Sequence, residues 1–225
     1  PEEYGGAGLD FVSEAIVCEE IERGENAFRT LISVHVGLNS LSLLKYGSEE
    51  QKQRYLVPQA KGEKLGCFGL TEPGAGSDVV AMRSTAVAKG DSYVLNGQKT
   101  WISFAPVADT ALLFAKTDPD AGHKGITAFL IEREWAGVSA NEIPGKLGAW
   151  AGSTGELFFE NVEVPAENVI GNVGQGFEIA MYSLDQGRFT VAAGALGVIR
   201  ACLEKSVAYA RERETFGKQI GEYQF

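Results

Sequence analysis

Between Gly66 and Asp78 the chain reads Gly-Cys-Phe-Gly-Leu-Thr-Glu-Pro-Gly-Ala-Gly-Ser-Asp. Residues 65–70 are short, apolar and punctuated by glycine, which predicts a buried strand. Residues 71–78 then place Pro73, Gly74 and Gly76 among Thr71, Ser77 and Asp78. Glycines let backbone N–H groups come close to a ligand and can take φ > 0. Successive free N–H groups with hydroxyls beside them suit a phosphate or a ring carbonyl. A plain turn uses the same residue types. No Gly-Lys-Ser/Thr follows, and the stretch does not match Gly-x-Gly-x-x-Gly, so neither a Walker loop nor a dinucleotide fingerprint is present.

The elements that must position this stretch fall into three blocks. Residues 1–64 read as helical, with Asp10 as an N-cap and Gly24 as a stop for the first helix. A second helix spans about 27–46, its apolar residues Phe28, Leu31, Val34, Leu38, Leu41 and Leu44 recurring at three- and four-residue steps up to Gly47. Ser48 and Gln51 form a capping box for a short third helix that Pro58 is expected to close. His35 lies within the second helix and is expected to pack, since no carboxylate or Cys partner stands at helical spacing.

Residues 65–171 turn to β character, with runs at 84–88, 93–95, 110–115, 126–131, 138–141 and 157–164. Turn signals separate them, and Asn96-Gly97 is the strongest hairpin signal. Many short strands at this spacing predict a small antiparallel barrel or sandwich. Residues 172–225 return to helix, first from Gly176 to about Leu184, then from about Arg188 to Arg213. Ala192, Ala193, Gly194, Ala195 and Gly197 make a small-residue patch expected to be core packing. Segregated blocks of this kind define an α+β chain and not a βαβ one.

The 225 residues allow one large or two small domains. A net charge of −10 argues against nucleic acid and anionic membrane surfaces as general partners. Cys18, Cys67 and Cys202 are odd in number and scattered, with no metal spacing, which implies a reducing compartment. The expected location is the cytoplasm of a bacterium, or the mitochondrial matrix of a eukaryote. No apolar run is expected to span a membrane.

Four motifs occur in order: Leu-Thr-Glu-Pro-Gly-Ala-Gly-Ser-Asp (70–78), Asn-Gly-Gln-Lys-Thr-Trp-Ile-Ser (96–103), Glu-Asn-Val-Glu-Val-Pro (160–165) and Arg-Glu-Thr-Phe-Gly-Lys (213–218). Together they resemble the acyl-CoA dehydrogenase family, FAD enzymes of fatty-acid and amino-acid breakdown. The resemblance covers essentially the whole chain. It implies an N-terminal helical domain (1–64), a β domain with the flavin motifs (65–171) and the start of a C-terminal helical bundle (172–225), with further helices before Pro1 and after Phe225.

A flavin needs donors at its ring edge, an apolar wall and compensation for its pyrophosphate. Phe68, Leu70 and Thr71 can supply wall and donors, Gly76 and Ser77 can approach cofactor or substrate, and Trp101 can cover part of the ring. Trp101 can equally be a strand aromatic that fills a barrel. By the resemblance Trp101, Ile102 and Ser103 contact FAD, Ser103 standing where the family usually has Thr. Arg213 pairs with the pyrophosphate of an FAD held mainly by a neighbouring subunit, beside Thr215, Phe216 and Gln224. As bare sequence, Arg213 belongs to a solvated helix end.

For substrate, Asp185, Arg188 and Ser77 match positions near the CoA moiety. Arg29 resembles a residue of the glutaryl-CoA branch that faces a distal carboxylate. It can also be a surface Arg, and in an apolar pocket its charge must meet an anion or be paired.

The implied reaction removes a proton alpha to an acyl-CoA thioester and passes a hydride to the flavin, with electrons going on to electron-transferring flavoprotein from a homodimer or homotetramer. No catalytic base is identified within the chain. In the isovaleryl-type branch that Glu corresponds to Gly187, and Glu72, Asp78 and Asp185 are expected to serve loop structure or ligand orientation. The alternatives are a glutaryl-CoA-type dehydrogenase, a flavoprotein of this kind without the activity, and a CoA-binding module without flavin.

Overall fold

The computed structural model of the chain describes residues 1–223. Helix α1 (Phe11–Glu22) begins at its sequence-encoded cap, where Asp10 Oδ1 accepts the Ser13 amide at 2.8 Å. Helix α2 (Asn26–Tyr46) contains a π-helical stretch, Ile32–Ser40. At 21 residues and a mean hydropathy of 1.2 it is long and apolar enough to cross a membrane, contrary to the expectation that no run would be. Half of it is buried inside the protein and it carries Arg29, His35 and Asn39, the marks of a core helix.

Helix α3 joins Glu49–Gln51, a π-helical Lys52–Leu56 and Val57–Ala60. The capping box forms as expected, with Ser48 N donating to Gln51 Oε1 at 2.9 Å and Gln51 N to Ser48 Oγ at 3.2 Å. Pro58 does not close this helix. It lies early in the last segment, just after the widened π turn, where its missing N–H is tolerated.

Eight strands follow: β1 (Gly66–Gly69), β2 (Thr85–Lys89), β3 (Ser92–Ser103), β4 (Thr110–Lys116), β5 (Ile126–Glu132), β6 (Val138–Glu142), β7 (Thr154–Pro165) and β8 (Val169–Ile170). They form one sheet in the order β6-β7-β3-β2-β4-β5-β8, with β1 also paired to β4. The β1–β4 and β2–β4 pairs are parallel. The sheet is therefore mixed and not closed into a barrel, where the strand spacing suggested an antiparallel barrel or sandwich; the α+β class holds.

Residues of β4 and β5 alternate between two apolar clusters. Leu112, Phe114, Ala128 and Leu130 meet the helices, while Leu113, Ala115, Phe129 and Ile131 meet Leu95, Leu157 and Val162 of β3 and β7. Both faces of these two strands are buried, which explains their continuous apolar sequences. Each fully buried Leu, Ile or Phe here is worth about 1.5–3 kcal/mol.

Asn96-Gly97 is not a hairpin turn. The β2–β3 turn lies at Gly90-Asp91, with Lys89 opposite Ser92, and β3 runs on through Asn96. There the register with β7 shifts between Leu95 and Gly97. Asn96 Oδ1 accepts the Asn161 amide at 2.8 Å, and Gly97, at φ 153°, has no room for a Cβ beside Ser84.

Helix α4 (Gly176–Glu212) is one helix of 37 residues, where two were expected. Gly187 lies inside it and is buried, so a Cβ would stand 2.8 Å from Leu38 Cδ2. The glycine marks a close helix–helix approach and not a break. Ala193, Gly194 and Gly197 are likewise buried, the two glycines against α1, as the packing reading expected, whereas Ala192 and Ala195 are exposed along the helix. A small hairpin of β9 (Glu214–Thr215) and β10 (Lys218–Gln219) follows.

Candidate functional site

Strand β1 is held by β4 on one side and by side chains of α2 on the other. Gly66 N donates to His35 Nδ1 at 3.0 Å, and Asn39 Nδ2 donates to Cys67 O at 2.8 Å. The strand delivers the chain into the 70–78 loop. Phe68 and Leu70 are buried in the core, with Phe68 against Phe114 at a centroid distance of 5.1 Å.

The loop itself is tied to β3. Lys99 Nζ donates to Leu70 O at 3.2 Å, and Thr100 N donates to Thr71 O at 2.9 Å. Glu72 and Ala75 exchange backbone hydrogen bonds of 3.0 and 3.1 Å across Pro73-Gly74. The Glu72 carboxylate accepts from Arg83 N at 2.5 Å, Ser84 N at 3.0 Å and Lys99 Nζ at 2.7 Å. Lys99 is fully buried, and burial pulls its ammonium down to about 8 against the opposing pull of Glu72. Burial pushes the Glu72 carboxyl up, yet Lys99 and the two amides together hold it below the ordinary carboxylate value. Glu72 thus serves loop structure. In the sequence Lys99 stands only as one residue of the 96–103 motif, with no local signal of its burial.

Gly74 and Gly76 do not take φ > 0, which corrects one reason given for them. A Cβ on either would meet nothing within 4 Å. The protein's own packing does not require these glycines. What an added Cβ would obstruct is an approach from outside the chain. Ser77 and Asp78 beside them are exposed, and Thr71 is half-buried.

Strand β3 ends in a bulge, where its register with β7 shifts between Lys99 and Ile102. Trp101 sits there at φ 59° and is 64% exposed, so it does not fill the sheet interior. Ile102 turns its side chain into the core, pairs with Gly155 and accepts the Ala105 amide, so it does not reach the open edge, and Ser103 pairs with Thr154 at the strand end. A bulge aims a side chain out of a ladder, and a left-handed non-glycine residue costs about 1–3 kcal/mol. One edge therefore gathers the Thr71 N–H and hydroxyl, Gly76, Ser77, Trp101 and Ser103. A flat ring system with polar edges fits this donor set, and the open space over Gly74 and Gly76 is the observation that carries the fit.

A cavity of about 500 Å³ lies between α2 and α4, within the usual range for small-molecule sites. Val34, Leu38, Leu184 and Val191 make most of its wall, and Arg29 and Arg188 are its charged groups. Arg29 is not a surface residue. It is buried and paired with Glu22, Nε to Oε2 at 2.5 Å and Nη2 to Oε1 at 3.2 Å. Its Nη1 reaches Ser33 Oγ at 3.1 Å, which meets Thr190 Oγ1 at 2.6 Å. Arg188 and Asp185 form an exposed ion pair at 2.8 Å.

Arg213, Thr215 and Phe216 lie elsewhere. From Gly187 to Arg213 the chain climbs about 40 Å along α4 at 1.5 Å per residue. Arg213 is exposed, Phe216 is 99% exposed at a turn with φ 50°, and Tyr223 Oη donates to Thr215 O at 2.6 Å. Gln224 lies outside the described residues.

The fold is an α+β arrangement whose sheet rim offers an open, polar-edged surface that fits a flat ring system, with an apolar cavity between two helices. Sequence models of one family match almost all of it: acyl-CoA dehydrogenase, N-terminal domain over residues 1–63, middle domain over 67–162 and C-terminal domain over 174–225. The chain belongs to the acyl-CoA dehydrogenase family. It is 47% identical over 222 residues to a short-chain specific acyl-CoA dehydrogenase of Clostridium acetobutylicum, covering 99% of this chain and 59% of the relative. It is 47% identical over 227 residues to a glutaryl-CoA dehydrogenase of Desulfococcus multivorans, covering 100% of this chain and 58% of that one. A solved glutaryl-CoA dehydrogenase from Mycobacterium smegmatis in complex with FADH2 matches with TM-score 0.92 at 41% identity, over 98% of this chain and 56% of that one. The chain thus spans a little under three fifths of the length of these relatives.

Proposed function

We propose that the chain forms the flavin-holding part of an FAD-dependent acyl-CoA dehydrogenase that converts an acyl-CoA to its 2-enoyl-CoA and passes electrons to electron-transferring flavoprotein. The observation that supports this most is the open edge of Thr71, Gly76, Trp101 and Ser103, where backbone and hydroxyl donors stand beside glycines that the fold itself does not need. When bound, FAD supplies the hydride acceptor. Thr71 and Ser103 hold the ring edge, and Trp101 shields it from water. The apolar wall of the α2–α4 cavity excludes water from the acyl chain, which makes proton removal alpha to the thioester easier. Asp185 and Arg188 orient the CoA part at its mouth.

The cavity wall carries no carboxylate among the described residues, and Gly187 cannot act as a base. The proton-accepting carboxylate is then supplied from outside these residues. Arg213, Thr215 and Phe216, about 40 Å along α4, serve the pyrophosphate of a flavin on a second copy of the chain. The assembly in this reading is a homodimer or homotetramer.

A second reading concerns the substrate. Arg29 stands at the cavity wall with its guanidinium already paired with Glu22, so a dicarboxylyl-CoA of the glutaryl type would have to share or displace that pair; the reading is supported by the 47% identity to a glutaryl-CoA dehydrogenase. The test is the visible spectrum of the protein as its gene encodes it, loaded with FAD, before and after anaerobic addition of acyl-CoAs. Bleaching by one thioester supports the enzyme and names the substrate. Bleaching by glutaryl-CoA with release of CO₂ supports the second reading. Bound flavin that no thioester bleaches favours a flavoprotein without the activity, and CoA binding by a colourless protein overturns the flavin reading.

A further inference from the structure

The buried Glu72–Lys99 pair is not explained by stability. An apolar pair of similar volume is often as stable as a buried ion pair, or more so. Lys99 is fully buried and Glu72 is 6% exposed, so both charges are held out of water inside the sheet rim. Their geometry shows what they hold. Lys99 Nζ grips Leu70 O at 3.2 Å, and the next carbonyl, Thr71 O, is held by Thr100 N at 2.9 Å.

A trans peptide is planar, so the C=O of one residue and the N–H of the next point in opposite directions. The Leu70 carbonyl and the Thr71 amide belong to one such plane. Turning the Leu70 carbonyl inward to Lys99 turns the Thr71 N–H outward, away from the buried pair. Among the described residues that N–H has no protein acceptor, while the Glu72 N–H is used within the loop turn. We propose that Lys99 is a positioning residue: by holding Leu70 O it aims the Thr71 N–H at the edge of the bound flavin. Glu72 keeps Lys99 charged and ties the loop to Arg83 and Ser84. This inference rests on the flavin reading above.

The experiment compares three variants with the wild type in the protein as its gene encodes it: Lys99→Met, Glu72→Gln, and the double variant, which removes both charges and so leaves no buried unpaired ion. Circular dichroism and thermal unfolding report the fold. FAD titration and the two-electron potential of the bound flavin report the site. In the double variant the fold is retained, FAD binds about tenfold more weakly, as loss of one well-aimed hydrogen bond implies, and the potential falls. In Glu72→Gln the buried Lys99 sheds its proton, and the neutral amine still donates to Leu70 O, so FAD affinity stays within about twofold of wild type. A double variant with the fold, FAD affinity and potential of wild type overturns the proposal. Equal loss of FAD affinity in Glu72→Gln and Lys99→Met also overturns it, because the pair then acts only as support for the fold. A wild-type protein that binds no FAD overturns the flavin reading and this inference together.

Discussion

The Gly66 amide donates to His35 Nδ1 at 3.0 Å, so the imidazole of α2 completes the open edge of β1. Since Nδ1 accepts, Nε2 carries the proton and donates to Gln59 O at 3.1 Å. The neutral ring satisfies both neighbours. A second proton would set two donors face to face at Gly66.

Burial accordingly lowers the His35 pKa below its ordinary 6.5. Near pH 6.5 the unfolded chain then binds more protons than the folded one, so stability rises with pH through that window. Below the folded-state pKa both forms carry the proton and the deficit stops growing. Urea unfolding between pH 5 and 8 is expected to show this slope. His35→Leu is expected to remove it, at a loss of about 1–3 kcal/mol for the unsatisfied Gly66 amide. An unchanged slope in the variant would assign the effect to another group.

Gly76→Ala separates folding from binding. The position does not have a positive φ, and an added Cβ meets nothing within 4 Å. Thermal unfolding without ligand is expected to match wild type within about 0.5 kcal/mol. Flavin affinity is expected to fall about tenfold or more, a loss near 1.4 kcal/mol. Unchanged affinity would remove this glycine from the site.

Gly194→Ala places a methyl group against the Glu22–Arg29 pair. The new Cβ would overlap Glu22 Oε2, and it would stand 2.8 Å from Glu22 Cδ and 3.1 Å from Arg29 Cδ. Both side chains are nearly buried, at 9% and 11% exposed. A loss of about 3 kcal/mol is expected, the upper end for overpacking, because these charges cannot be left apart without further cost. Denaturant unfolding measures it, and Glu22→Asp in the same chain is expected to recover part of the loss.

Trp101 stands at φ 59° with most of its ring in solvent. Trp101→Gly relieves the backbone and is expected to hold stability within about 1 kcal/mol, strain relief offsetting the greater freedom of the unfolded glycine chain. Flavin binding is expected to weaken, and quenching of flavin fluorescence by the protein to diminish. A clear loss of stability would show that the indole packs for the fold.

Much of the site lies in contiguous stretches and is legible for that reason. The Thr71–Ser77 loop and the Trp101–Ser103 strand end are each short, and their residue types name the chemistry. Arg29 was recognised, but its partner was not. Glu22 lies seven residues away on another helix, and only the packing of α1 on α2 and α4 brings the two to 2.5 Å. Lys99 escaped notice because a lysine in a strand is ordinarily a solvated residue, and nothing local reveals that Glu72 waits beneath it.

The sequence alone determined the α+β order, the Asp10 cap and the Ser48–Gln51 box, since each depends on bonds made within a few residues. It also determined the family, through motifs in a set order. Tertiary structure decided what depends on neighbours distant in sequence. Asn96-Gly97 continues β3 because β2 and β7 flank it and Ser84 presses on the glycine. Gly187 stays inside one long helix because Leu38 packs against it. The sheet stays open because its edge strands β6 and β8 do not pair with each other, and it is mixed because β1 and β2 run parallel to β4. Local propensity sets the conformations a segment can adopt, and long-range packing selects which of them lies closest to its partners.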